Sequence, residues 1–116
     1  MKKLILILLA MFALFSFAPQ QLLKTKMSIT VIDKQGQFIE GAEVKIFKTI
    51  DDFNKDKNQV QETKKTDARG RVKFTKLDAI SYYMQVDKGD LSNMFNSDKT
   101  SPLSPKKINK FIVVIE

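Results

Sequence analysis

The sequence predicts an all-β antiparallel sandwich of about seven strands, preceded by a hydrophobic signal helix. Three observations carry that expectation. Short runs of alternating apolar residues recur at hairpin intervals, with no long helical period between them. Two Asp-x-x-Gly turns, Asp33 to Gly36 and Asp67 to Gly70, punctuate the runs. Lys2 and Lys3 open an unbroken stretch of apolar and small residues from Leu4 to Ala18.

The N-terminal stretch reads as an export signal over residues 1–18. Ser16 and Ala18 occupy the small-residue positions of a cleavage site, and Pro19 would follow the cut. An uncleaved anchor is the other reading, although Leu4 to Ala18 falls short of the roughly 20 residues of a membrane span. Residues 19–26 form a polar linker, and residues 27–116 are expected to form one domain. The chain has no Cys and a net charge of +7. Without disulfides, an exported domain of this size fits a bacterial envelope better than a small secreted eukaryotic scaffold. The expected location is periplasmic, cell-surface or secreted.

Each strand has its own signature. Ser28 to Asp33 places Ile29 and Val31 on one face. Gly41 precedes a second strand, Ala42 to Ile50, with Ala42, Val44 and Ile46 on one side and Phe47 on the other. Residues 51–61 read as a polar, turn-like loop, and Gln59 to Thr66 as a polar edge strand. Arg71 to Thr75 alternates cleanly, with Val72 and Phe74 inward. Tyr82 to Asp87 follows, with Tyr82, Met84 and Val86 on the core face. The spacing of Leu91, Met94 and Phe95 predicts one helical turn capped by Asp90. Lys110 to Glu116 is the last strand.

Two phrases, residues 31–46 and 66–74, read with Tyr82-x-Met84-x-Val86, resemble the carboxypeptidase regulatory-like domains. Gly36, Gly41, Ala42 and Val44 fill the first part of that pattern; Thr66, Asp67, Gly70, Val72 and Phe74 fill the second. The resemblance spans about residues 28–89 and implies an immunoglobulin-like, transthyretin-type sandwich. It departs at Ala79-Ile80-Ser81, where the family usually has a Gly. It further implies a non-catalytic accessory or binding module. An internal Lys–Asn isopeptide bond, known in related adhesin sandwiches, needs a Lys where this chain has Val31.

The residue inventory argues against an enzyme and implies no cofactor. With no His and no Cys there is no imidazole base, no thiol nucleophile and no zinc site built from them. Asp52, Asn54 and Asp56 have the alternate spacing of a calcium loop, but Lys57 stands where the loop needs Gly. A solvated loop is the plainer reading, and a weak calcium site the second. Lys64, Lys65, Arg69, Arg71 and Lys73 form a basic patch, read either as soluble surface with edge protection or as a site for an acidic partner. The lack of interleaved aromatic residues argues against nucleic acid.

Residues 111–115 are apolar at every position, so Ile112 and Val114 face outward if Phe111, Val113 and Ile115 face the core. Two covers are open: a lid of Leu91, Met94, Phe95 and Leu103, or a partner. The expectation is an exported module that docks an envelope protein through Phe47, Tyr83, Ile112 and Val114. The alternative is glycan or ligand binding by loops 51–61 and 90–105. Membrane contact would come only through an uncleaved N-terminus.

Overall fold

The computed structural model describes residues 24–94 and 98–116. The signal segment, most of the linker and Phe95 therefore lie outside the described residues. Two sheets face each other. Sheet A has three strands, β1 (Lys26–Ile32), β4 (Arg71–Phe74) and β7 (Ile108–Val114), in the order β4-β1-β7. Sheet B has four, β2 (Glu43–Phe47), β3 (Lys64–Lys65), β5 (Tyr83–Lys88) and β6 (Leu91–Ser92), in the order β3-β2-β5-β6.

Alternation decides which residues meet between the sheets. Met27, Ile29 and Val31 of β1, Val72 and Phe74 of β4, and Val113 of β7 are buried from one side. Val44 and Ile46 of β2 and Met84 and Val86 of β5 are buried from the other. Tyr82 fills the core beside them, and its hydroxyl donates to the Asp78 carbonyl at 3.0 Å. Val31, at the expected isopeptide position, is fully buried and lies in register with Val113.

The sandwich is mixed, which corrects the antiparallel expectation. β1 pairs antiparallel with β4 but parallel with β7, from Lys26↔Ile108 to Ile32↔Val114. Parallel pairing needs a long crossover, and here nearly the whole domain provides it.

The two Asp-x-x-Gly turns are built alike. Asp33 Oδ1 accepts from the backbone N–H groups of Gln35 and Gln37, and Asp67 Oδ1 from those of Arg69 and Arg71. Gly70 has φ +70°, and a Cβ there would lie 2.5 Å from the Val31 carbonyl oxygen. Its own carbonyl accepts from Val31 N–H at 2.7 Å, so the turn and β1 are locked together.

Two segments differ from the sequence expectation. Residues 50–55 form a helix, α1 (Ile50–Lys55), where a loop was expected. Thr49 caps it by accepting from Asp52 N–H at 3.1 Å, Asp51 and Asp52 sit in the first turn, and Lys55 in the last. Burial of Phe53 fixes α1 against sheet B. Leu91 and Ser92 form β6 rather than a helical turn. Beyond β6, the edge of β5 resumes pairing at residues 98–100, through Asp98 O, Lys99 and Thr100 N–H.

The Asn93 side chain fills the gap in that ladder. Its Oδ1 accepts from Val86 N–H at 2.8 Å, and its Nδ2 donates to the Met84 carbonyl at 2.7 Å. A buried side chain thus stands in for a missing strand residue. Asn93→Ala leaves two buried backbone groups unpaired and should cost about 2–4 kcal/mol in a denaturant titration. Gly70→Ala should cost roughly 1–3 kcal/mol in the same assay, because alanine is strained at this φ and meets backbone.

Candidate docking surface

The outer face of sheet A forms in rows set by strand register. Lys73, Ser28 and Lys110 stand side by side, as do Arg71, Thr30 and Ile112. Ile32 lies beside Val114, and Phe38 bridges to Ile32. The result is a basic flank, an axis of small hydroxyl residues and an apolar flank along β7. The apolar flank is open, with Ile112 69% exposed, Ile108 43% and Val114 40%; Phe38, 58% exposed, lies across β1 beside Gly70.

Two adjoining depressions, of about 350 and 430 Å³, share Ser28, Arg71 and Lys110. Asp67 and Ile108 border one, and Phe38 and Ile112 the other. Arg71, Lys73 and Lys110 are exposed and form no ion pair among the described residues. Asp67 is the acid at this margin. The N–H donors of Arg71 and Arg69 hold its carboxyl below the usual range, and they tie it to the turn.

The expected docking residues do not form one surface. Ile112 and Val114 project from sheet A, but Phe47 and Tyr83 pair on the far side of sheet B. Phe47 is fully buried, which corrects its place among docking residues. The Phe53 ring of α1 packs on it edge-to-face, with centroids 5.9 Å apart. Tyr83 is half-buried, 6.3 Å from the Phe53 ring and under the Lys99 ammonium. The expected lid is also corrected. Leu103 is buried in the main core and Leu91 packs at its rim, so neither covers Ile112.

The basic patch divides too. Arg71 and Lys73 share the face with Ile112, whereas Lys64 and Lys65 belong to β3 and Arg69 to the turn. Lys64 reaches across to donate to the Lys73 carbonyl at 2.6 Å and lies 5.0 Å from the Phe74 ring centroid. Sequence reasoning missed Ile108, Lys110 and Phe38; the alternation of Lys110 with Ile112 was the available signal.

The calcium reading is corrected by α1. On a helix, residues two apart point about 200° away from each other, so Asp52 and Asn54 diverge. Asp56 is instead paired with Lys45, whose Nζ lies 3.1 Å from its Oδ1. For the loop-binding alternative, Phe53 is buried and offers no ring to a sugar.

No protein-family model and no curated protein matches the chain. Solved structures do. A streptococcal ancillary pilin is similar over 81% of this chain at 16% identity, with a TM-score of 0.62. A variant of BcpA, the major pilin subunit of Bacillus cereus, covers 79% at 19% identity and TM-score 0.55. The TIE protein of Bacillus anthracis covers 80% at 22% identity and TM-score 0.56. The chain spans only 32%, 28% and 17% of those three chains. At these identities the likeness shows the fold, an all-β sandwich.

The depressed pKa of Asp67 gives its turn a pH signature. Its stabilising effect is fully present above the unfolded carboxylate value of about 3.9 and disappears as pH falls through the lower folded value. Asp67→Ala should lower the melting temperature at pH 7, with the difference from the parent protein closing in strong acid. Asp67→Asn should keep most of the turn, because its amide oxygen still accepts both N–H groups.

Proposed function

We propose that this chain is a non-catalytic, exported module of the bacterial cell envelope that docks a partner protein through the outer face of sheet A. The observation that carries the reading is the four-residue apolar exposure of Ile112, Phe38, Ile108 and Val114 beside Arg71, Lys73 and Lys110, cations with no ion pair among the described residues. An apolar strip rimmed by charge is the composition of a protein-binding patch. The pilin neighbours support a place among surface structures. The burial of Phe53 favours a protein over a glycan as partner, because loop 51–61 then offers no exposed ring for a sugar to stack on.

A pull-down from envelope extract with the full chain in mild detergent tests this. Ile112→Lys with Val114→Lys should abolish capture of the partner while leaving the circular dichroism and melting temperature near those of the parent. Both side chains are exposed, so the folded state tolerates the change. Equal capture by the folded variant would overturn the reading.

A further inference from the structure

Among the described residues the two sheets have four edges, and three are short or largely taken. β3 and β6 are two residues long. On β4, four of the groups directed away from β1 are taken: Arg71 N–H and C=O by Asp67, the Lys73 carbonyl by Lys64, and the Thr75 carbonyl by Gln61 at 2.7 Å. β7 differs. It is seven residues long and pairs only with β1 among the described residues.

The hydrogen bonds fix which β7 residues face the open side. Lys107 C=O and Ile115 N–H bond β1, whereas Glu116 N–H and C=O both bond Ser92 on β6. Backbone direction alternates along a strand, so Ile108, Lys110, Ile112 and Val114 direct N–H and C=O outward. The side chains of these same four residues stand on the outer face of sheet A. One added strand would therefore satisfy the open backbone groups and cover the exposed apolar side chains together.

We infer that the free edge of β7 takes a strand from another protein, an extended segment carrying an acidic residue opposite Lys110 and apolar residues opposite Ile108, Ile112 and Val114. This rests on the docking reading above and gives it a mode. Charge selects the occupant. Lys110 has Arg71 and Lys73 beyond it on the same face, and the chain carries +7 overall. A second copy would bring a like-charged face alongside, and like charges across strands are destabilising. An acidic strand is attracted instead, with affinity from the main chain and specificity from alternate side chains.

The test uses the full chain in mild detergent and an eleven-residue fluorescent peptide in which threonine alternates with valine, one central valine being glutamate. The peptide should bind and slow amide exchange at Lys110, Ile112 and Val114. A lysine in place of the glutamate should weaken binding at least about tenfold. In the antiparallel pairing proposed, the valine and glutamate amides face β7, so their N-methylation should weaken binding similarly and N-methylation of the threonine amides should not. Absence of binding at millimolar peptide, equal binding of the lysine peptide, or indifference to the methylated edge overturns the inference. Slowed exchange at those amides without peptide, together with a dimeric mass, overturns it in favour of a second copy. Ile112→Lys with Val114→Lys keeps the β7 N–H groups, so partner capture can be lost with that variant while the peptide test fails. That result would sink strand addition and leave face docking standing.

Discussion

The parallel pairing of β1 with β7 is the constraint from which the rest of the sandwich follows. It joins segments far apart in sequence; the Asn109 side chain donates to the Lys26 carbonyl across 83 residues. Closing so long a loop costs entropy before any contact offsets it. What offsets it is an inner face on which Ile29 lies beside Phe111 and Val31 beside Val113, with Asn109 beside Met27 at the end of the row. With β7 in place, β1 becomes a central strand, and Ile29 at its middle is flanked by Val72 and Phe111. Sheet A then presents a face broad enough for sheet B to cover.

The two outer faces meet different fates. Sheet B carries aromatic residues outward at Phe47 and Tyr83, and α1 closes over them with Phe53. That face is finished within the chain. Sheet A has no such helix among the described residues, and its outward rows mix cations, hydroxyls and aliphatic groups. Apolar area left in water there is a free-energy reserve that another surface can draw on. Because backbone direction and side-chain direction alternate in step, the exposed face and the open edge of β7 belong to the same residues.

Much of this was legible from the chain because the period of a strand is short and local. The inward residues of β1, β4 and β5 followed from alternation, and both Asp-x-x-Gly turns followed from the side chain that forms them. α1 was missed although Thr49, Asp51, Asp52 and Lys55 carry a cap and a dipole-matched charge pattern; their polarity read as a loop. Leu91, Met94 and Phe95 fit a helical period, yet pairing with β5 decides Leu91. Phe47 was assigned the right side of its strand, but whether a side is wet depends on what packs there. The parallel partner of β1 is likewise a tertiary fact, with no trace in either strand's own sequence. The candidate surface was half visible for the same reason: Ile112 and Val114 stood out within one strand, whereas Arg71, Thr30 and Phe38 join them only through register.

The direction of β7 also fixes how the domain bears load. Chain enters β1 at Lys26 and leaves β7 at Val114, at opposite ends of two strands that run the same way. Tension between those points slides the strands along each other instead of peeling them apart. The ladder bonds lie across the direction of pull, so the seven registered pairs resist as a set. Rupture then requires near-simultaneous loss of the whole ladder, and the sandwich behaves as a shear clamp between its two ends.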